Sequence, residues 1–117
     1  MSDGRHNLDI AVSHDADGTA VIRLDGEIDL RTSPMLHERL IELAAQRPPR
    51  FLLELTQVSY MDSSGVGTIV DFKRRLERYG GRLVLVGPQP RVRGVLEITR
   101  LDRFFTITAT IDEARQR

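Results

Sequence analysis

The sequence has no cysteine and no tryptophan, and it has no excess of either charge, because 17 Lys and Arg residues balance 17 Asp and Glu residues. Without cysteine, a disulfide framework, a Cys-ligated zinc site and a thiol nucleophile are excluded. Without a basic excess, direct binding to nucleic acid or to an anionic membrane is disfavoured, since both need strong positive charge. We therefore expect a protein that has neither nucleic acid nor a membrane as a direct partner.

Long hydrophobic runs are missing as well. No apolar stretch approaches the roughly 18 residues of a membrane-spanning helix, and the polar start at Met1–Leu8 predicts no signal peptide. Hydrophobic residues make up 40% of the chain and charged residues 29%, which are ordinary globular values. The 117 residues fit one domain with one modest core, so we predict a single cytoplasmic domain over residues 1–117.

Five apolar segments predict strands, and four segments with helical spacing or capping signals predict helices. A hairpin with its turn at Asp15–Gly18 comes first, and strands then alternate with helices. This order, β-β-α-β-α-β-α-β-α, predicts an α/β fold with a mixed, mostly parallel sheet and right-handed crossovers. The predicted strands are Leu8–Val12, Val21–Leu24, Phe51–Leu55, Leu83–Val86 and Phe104–Ile107, and the helices carry Leu36–Ala44, Val66–Leu76, Val92–Thr99 and a capping box at Thr110–Glu113.

Helix boundaries are also visible in the sequence. The second strand is followed by an acidic segment, Asp25–Leu30, that we interpret as a loop. Ser33 is the predicted N-cap of the first helix, with Pro34 at the first helical position, where its missing N–H costs nothing. Gly80-Gly81 is the predicted end of the second helix.

The most informative segment is Val58–Gly67, between a strand predicted to end near Leu55 and a helix predicted to begin near Ser63. In an open α/β sheet, functional groups gather at the carboxyl ends of the strands. A helix N-terminus presents free N–H groups and about half a positive charge. A phosphate at this position would therefore be stabilised electrostatically.

The same residue types also have a purely structural explanation. Asp62 and Ser63 are favoured helix caps, and Gly67 would let the helix pack tightly. Alternatively, Gly65 and Gly67 keep side chains off the first turn, so that the backbone of a partner can approach closely. On residue types alone both interpretations stay open.

Catalytic and metal sites have little support. No G-x-S-x-G elbow surrounds the serines, and His6, His14 and His37 are distant in sequence, so a small hydrolase that uses Ser63 or Asp62 lacks a general base. Each histidine is interpreted as a solvated residue. The G-x-x-x-x-G-K-[ST] pattern and the EF-hand spacing are absent too. We therefore predict a protein that is not an enzyme and that uses no cofactor or metal.

At this point the residues carry a resemblance. Tyr60–Gly67 resembles the signature of STAS domains and, more narrowly, of bacterial anti-sigma factor antagonists. Leu24–Asp29 resembles the second hallmark of the family, a Gly-Glu-(Leu/Ile)-Asp step after the second strand. The resemblance covers residues 8–115 and implies the STAS fold, a mixed, mostly parallel sheet with an N-terminal hairpin and helices packed mainly on one face.

The resemblance implies a regulatory function. Such proteins bind an anti-sigma factor, usually a serine kinase, and so release a sigma factor. The kinase phosphorylates the first serine of the Asp-Ser-Ser-Gly run, here Ser63, and a PP2C-type phosphatase reverses the modification. Because a phosphate adds about −1.5 to −2 charge, Ser63 is interpreted as an electrostatic release switch. Asp29 and Asp62 match acidic positions near this serine, and Ser64 and Gly65 match the following helix-turn positions.

The partner surface is expected around this helix start. It would include the segment Asp25–Arg31, Gly67 and the exposed helix face that carries Arg74, although a solvated face is the alternative explanation for that charge. We expect the chain to be a monomer. The alternative function is a lone STAS scaffold subunit of a lipid or anion transport system, but those subunits often lack the phosphorylatable serine that Asp62–Ser64 supplies.

Overall fold

Residues 7–117 are described by the computed structural model, and they form the predicted order of five strands and four helices. The strands are β1 (Leu8–His14), β2 (Ala20–Ile28), β3 (Arg50–Met61), β4 (Arg82–Val86) and β5 (Thr106–Thr108). The helices are α1 (Ser33–Ala44), α2 (Ser63–Glu77), α3 (Pro90–Ile98) and α4 (Ile111–Arg115). No helix among these residues has the length and apolarity to span a bilayer.

The five strands form one sheet in the order β1-β2-β3-β4-β5. β1 and β2 are antiparallel, and the turn between them is closed by the Asp15 N–H, which donates to the Thr19 carbonyl at 2.8 Å. Gly18 in this turn has a φ of +89°, which glycine adopts at little cost. The other neighbouring strands are parallel, so the predicted mixed, mostly parallel sheet with an N-terminal hairpin is confirmed.

Successive side chains along the strands point to opposite faces of the sheet. One face packs with α1, α2 and α3 in the larger core, where the rings of Phe51 and Phe72 meet edge to face at 4.9 Å. The opposite face packs with α4 through Ala114. Three helices on one face and one short helix on the other confirm the prediction that the helices pack mainly on one face. The smaller core consists of Val21, Leu52, Val84, Val86 and Ala114.

β2 and β3 are longer than the sequence pattern indicated. β3 continues past Leu55 to Met61, and Asp25–Ile28 forms the end of β2 instead of an acidic loop. The parallel pairing reaches Ile28 opposite Met61, with irregular register before Asp25 and after Gly26. These irregularities interrupt the period-2 alternation of buried side chains, which is the signal that predicts a strand.

The last strand begins later than the sequence pattern indicated. β5 begins at Thr106 rather than at Phe104, because the N–H groups of Phe104 and Phe105 donate to the Leu101 carbonyl at 3.1 and 3.3 Å in a turn. Phe105 is nevertheless buried in the larger core, which explains the apolar signal there.

Of the three histidines, His6 lies outside the described residues.

Candidate functional site

The carboxyl ends of β2 and β3 meet at one edge of the sheet, where α1 and α2 also begin. The Asp62 N–H, between β3 and α2, donates to the carbonyl of Ile28 at the end of β2, at 3.2 Å. This bond ties the ends of the two strands together. The Ser33 hydroxyl donates to the Ser64 hydroxyl at 3.2 Å and joins the two helix starts, although these serines are 31 residues apart. The fold therefore brings the two sequence motifs together.

Asp62 is the N-cap of α2. Its Oδ1 accepts hydrogen bonds from the N–H groups of Ser64 at 2.9 Å and Gly65 at 3.3 Å, and from the Ser64 hydroxyl at 2.5 Å. Partial burial acts to raise the pKa of this carboxyl, but these bonds and one from the Leu30 backbone outweigh it and lower the pKa below its ordinary value of 3.8. Asp62 is therefore a charged cap at neutral pH.

The two adjacent serines have different environments. Ser63, the first residue of α2, is exposed, and its hydroxyl makes no hydrogen bond to any of residues 7–117. Ser64 is half-buried, and its hydroxyl donates to Asp62 and accepts from Ser33, which is only 6% exposed. The hydroxyl of Ser63 is therefore open to an incoming group, whereas the hydroxyl of Ser64 is already engaged in two hydrogen bonds.

Asp29 stabilises the connection from β2 to α1. Its Oδ1 accepts from the N–H groups of Arg31 at 2.9 Å and Thr32 at 3.1 Å. The Thr32 hydroxyl accepts from the Asp29 N–H at 3.0 Å and donates to the Glu27 carbonyl at 2.8 Å. The prediction that Ser33 is the N-cap of α1 was wrong: Thr32 holds that position, and Ser33 begins the helix and contacts Ser64.

Gly65 and Gly67 have different surroundings. A Cβ at Gly65 would lie 2.7 Å from both Ile28 Cγ2 and Met61 Cγ, so glycine is required for α2 to pack against the ends of β2 and β3. A Cβ at Gly67 would meet no atom within 4 Å, and Gly67 is exposed. Of the two interpretations left open by the sequence, tight packing of the helix does not apply to Gly67, because Gly65 is the glycine at the close contact.

A groove runs between α1 and α2 beside Ser64. It has a volume of about 410 Å³ and a mainly apolar lining, and we call it the α1–α2 groove. His37 on α1 reaches across with its Nε2 2.8 Å from Asp71 Oδ2 on α2. The groove is lined by Leu30, Ser33, Pro34, His37, Ser64, Gly67, Thr68 and Asp71.

His37 was missed by the sequence reasoning, which treated it as solvated. It is half-buried and paired with Asp71. Hydrogen bonds from Arg75 and then from His37 hold the pKa of the Asp71 carboxyl below its usual range. The signal that was available is helical spacing, because His37 follows Ser33 by one turn of α1 and therefore shares its face.

Arg74 lies on the exposed face of α2 that also carries Ser63 and Gly67. Eleven residues of helix place it about 16 Å from Ser63 along the axis. Its neighbours are paired within the helix, Lys73 with Glu77 and Arg75 with Asp71, whereas Arg74 makes no ion pair with any of residues 7–117. Its guanidinium is therefore available to an external carboxylate.

The site does not pair a serine with a histidine. Among residues 7–117, neither Ser63 nor Ser64 hydrogen-bonds to His37, whose Nε2 is taken by Asp71. That part of the chain also contains no group of three or more acidic or histidine side chains placed to hold a metal ion. The arrangement offers instead an exposed hydroxyl, that of Ser63, at a helix N-terminus next to the charged cap Asp62. A hydroxyl in this position is suited to carry a phosphate.

The STAS domain family matches residues 10–114 of the chain. An anti-sigma F factor antagonist of Paenibacillus polymyxa is 30% identical over 102 residues, which cover 86% of each chain. The structure of the anti-sigma factor antagonist SpoIIAA in its unphosphorylated form is 31% identical, covers 93% of this chain and 95% of that chain, and has a TM-score of 0.81. The structure of the Bacillus cell fate determinant SpoIIAA in the phosphorylated form is 30% identical, covers 93% and 98%, and has a TM-score of 0.73. The family resemblance is confirmed by these matches, and the chain belongs to the STAS domain family.

Proposed function

We propose that the chain is an anti-sigma factor antagonist: it binds an anti-sigma factor with serine kinase activity, thereby releases a sigma factor, and is switched off by phosphorylation of Ser63. A PP2C-type phosphatase resets the switch. The chain acts in the cytoplasm as one STAS domain over residues 1–117, and it is the substrate of the kinase rather than an enzyme itself.

The contrast between the two adjacent serines carries this proposal. Ser63 offers a solvent-exposed hydroxyl at the start of α2, whereas Ser64 is held by Asp62 and Ser33. A kinase needs an acceptor hydroxyl that it can surround and deprotonate, and Ser63 meets that need. The similarity to SpoIIAA, which has been solved in an unphosphorylated and a phosphorylated form, supports phosphorylation as the switch of this chain.

A phosphate on Ser63 would act mainly in the interface. The α2 dipole stabilises added negative charge by about 0.3–1 kcal/mol at an exposed helix end, while the nearby carboxylate of Asp62 opposes it. These two effects partly cancel within the domain, so little rearrangement of the fold is required. Against a facing carboxylate or apolar surface of a partner, however, the added charge costs several kcal/mol, which is enough to dissociate the complex.

The remaining proposed site residues form two groups: those that shape the start of α2 and those that contact the partner. Asp62, Ser64 and Gly65 shape the start of α2 and present Ser63, and Asp29 holds the adjoining turn. Gly67 and Arg74 lie on the exposed face of α2 and contact the partner directly in this proposal.

The first test compares Ser63→Ala with Ser63→Asp in binding to the anti-sigma factor, measured by titration calorimetry. We expect Ser63→Ala to bind as the wild type does and Ser63→Asp to bind about tenfold or more weakly, because a fixed carboxylate imitates part of the phosphate charge. Ser59→Asp is the matched control, because Ser59 is also exposed but lies on β3. Equal affinity of the two Ser63 variants would disprove the switch.

Intact mass after incubation with ATP and the anti-sigma factor tests the acceptor. We expect one added phosphate on the wild type and on Ser64→Ala, and none on Ser63→Ala. An unmodified wild-type chain that co-purifies with a membrane complex would instead support the transport scaffold.

A further inference from the structure

The two edges of the sheet are protected to different degrees. A strand at the edge of a sheet leaves backbone N–H and C=O groups unpaired, and proteins block such edges with very short strands, lysine, proline or bulges. β5, at one edge, has only three residues. β1, at the other edge, has seven residues, contains neither lysine nor proline, and pairs with β2 in an unbroken register. Among residues 7–117 no strand pairs with the outer side of β1, so this edge is open.

Apolar side chains accompany the open edge on the helix side of the sheet. Ile10 and Val12 of β1 pack against the larger core but are only half-buried. Beside them, between β1 and α1, lies a cavity of about 310 Å³ whose lining includes Ile10 and Met35. Met35 is 46% exposed. A strand added to the outer side of β1 would therefore gain backbone hydrogen bonds and also cover apolar side chains.

The sequence of β1 suits a second copy of itself. Antiparallel pairing over all seven residues of Leu8–His14 places the two-fold axis at the central residue, Ala11. In that register Ala11 lies opposite Ala11 of the second copy. Ile10 lies opposite Val12 of the second copy, on the face that carries the cavity. Aliphatic pairs of this kind stabilise neighbouring antiparallel strands.

Charge is compatible with the same register. Asp9, the only carboxylate in β1, lies opposite Ser13 of the second copy, so the two strands oppose no like charges. The rim of the cavity carries both signs of charge, since Glu38, Arg39 and Glu42 of α1 line it. A two-fold axis makes every contact reciprocal, so such a mixed rim can face its own copy without net repulsion.

We propose that β1 is a dimerisation edge, at which two copies of this chain pair their β1 strands antiparallel about an axis at Ala11 and join their sheets into one. The sequence led us to expect a monomer, and the open edge leads to a weak dimer instead. Ser63 lies outside this interface, because α2 packs over β3 and β4, on the far side of β2 from β1. Dimerisation is therefore separate from the proposed switch.

The test uses the axis, at which position 11 faces itself. Ala11→Lys opposes like charges in the dimer, and so does Ala11→Glu, but a mixture of the two variants opposes unlike charges. Ser13→Lys instead faces Asp9 of the second copy. Thr106→Lys on β5 is the matched control, because Thr106 is an exposed strand residue at the other edge. Sedimentation velocity of the full chain from about 5 to 500 µM measures self-association, because small interfaces bind weakly.

We expect the wild type and Thr106→Lys to pass from monomer to dimer within this range. Ala11→Lys and Ala11→Glu should each associate about fivefold more weakly, and their equimolar mixture should associate as the wild type does. Ser13→Lys should associate about two- to fivefold more tightly at low salt, because its pair with Asp9 occurs twice in the dimer. Ala11 and Ser13 are exposed, so urea denaturation should find every variant folded.

A wild type that stays monomeric at about 500 µM would overturn the dimer. A dimer that neither Ala11→Lys nor Ser13→Lys alters would place the contact on another surface and overturn the proposal as well. If Ala11→Lys does not fold, tighter association of Ser13→Lys still supports the edge, and unchanged association contradicts it. None of these outcomes touches the phosphorylation of Ser63, which intact mass tests separately.

Discussion

Two helices of this protein, α2 and α4, begin in contrasting ways. At α4 the Thr110 hydroxyl accepts from the Glu113 N–H at 3.1 Å, and the Glu113 carboxylate accepts from the Thr110 N–H at 3.1 Å, which completes a capping box. Asp112 adds a second carboxylate to this first turn. At α2 the cap is the single carboxylate of Asp62, and the third helical position is Gly65, where α4 has Glu113.

A helix start is available for function when its first turn does not compensate its own positive charge. Both starts carry about half a positive charge from the helix dipole. In α4 the carboxylates of Asp112 and Glu113 compensate this charge within the first turn. In α2 the first turn presents the exposed Ser63 hydroxyl and has no carboxylate beyond its cap. The start of α2 is therefore less hostile to an added phosphate than the start of α4, where two carboxylates would oppose it.

The largest expected effect on stability comes from adding a side chain at Gly65, the third residue of α2, where α4 has Glu113. An added Cβ at Gly65 would lie within 2.7 Å of Ile28 and Met61 side-chain atoms, and overpacking of this kind costs about 1–3 kcal/mol. We expect Gly65→Ala to lower the free energy of unfolding by that amount in urea denaturation. Gly67→Ala is the matched control and should raise it by about 0.5–1 kcal/mol, because its Cβ meets open space. A similar change for both variants would show that the start of α2 is not closely packed.

A smaller effect is expected from removing the charge of the α2 cap. The folded-state pKa of Asp62 is lowered, so its contribution to stability is present above the ordinary value of 3.8 and is lost as the pH falls through the folded pKa. Asparagine is also a good N-cap. We therefore expect Asp62→Asn to lower the free energy of unfolding by about 1 kcal/mol at pH 7, and the two proteins to converge as the pH is lowered.

Urea denaturation at a series of pH values from neutral to acidic measures this convergence. The other carboxyls with a lowered pKa, Asp17 and Asp71, are present in both proteins and cancel in the difference. A difference that stays constant with pH would mean that the charge of Asp62 does not stabilise the start of α2.

The two helix starts also show how far sequence reasoning reaches. The capping box of α4 was predicted correctly because both of its residues, Thr110 and Glu113, lie within three positions of each other. At α1 the same reasoning chose Ser33, whereas Thr32 is at the cap and binds the Glu27 carbonyl. Local propensity does not distinguish Ser33 from Thr32, since both residue types are good caps. The distinguishing hydrogen bond runs from the Thr32 hydroxyl to the Glu27 carbonyl at the end of β2, a segment that was predicted to be a loop.

Contacts between elements distant in sequence were beyond prediction for the same reason. The pair of His37 with Asp71 spans 34 residues and depends on how α1 packs against α2. The bond from Ser33 that helps to hold Ser64 spans 31 residues. The sequence indicated a phosphate site at the start of α2, but the bond from Ser33 that distinguishes Ser64 from the exposed Ser63 comes from tertiary structure.

The smallest expected effect tests the dipole of α2 directly. Ser63 is the first residue of α2 and is exposed, so a charge placed there is close to the free N–H groups of the helix. We expect Ser63→Asp to raise the free energy of unfolding by about 0.3–1 kcal/mol at low ionic strength, less whatever repulsion Asp62 contributes. Ser63→Lys is the matched control of opposite charge and should lower it. Added salt should reduce both shifts, since the charges are exposed.

Urea denaturation at low and high salt measures both variants. If Asp and Lys shift stability in the same direction, the start of α2 does not favour negative charge. The tolerance of a phosphate on Ser63 would then have to come from solvent alone, and the contrast between α2 and α4 would lose its electrostatic meaning. Opposite shifts that shrink with salt would instead show that α2 stabilises negative charge at position 63 in the free domain. The free energy that dissociates the complex would then arise from repulsion by the partner's side of the interface.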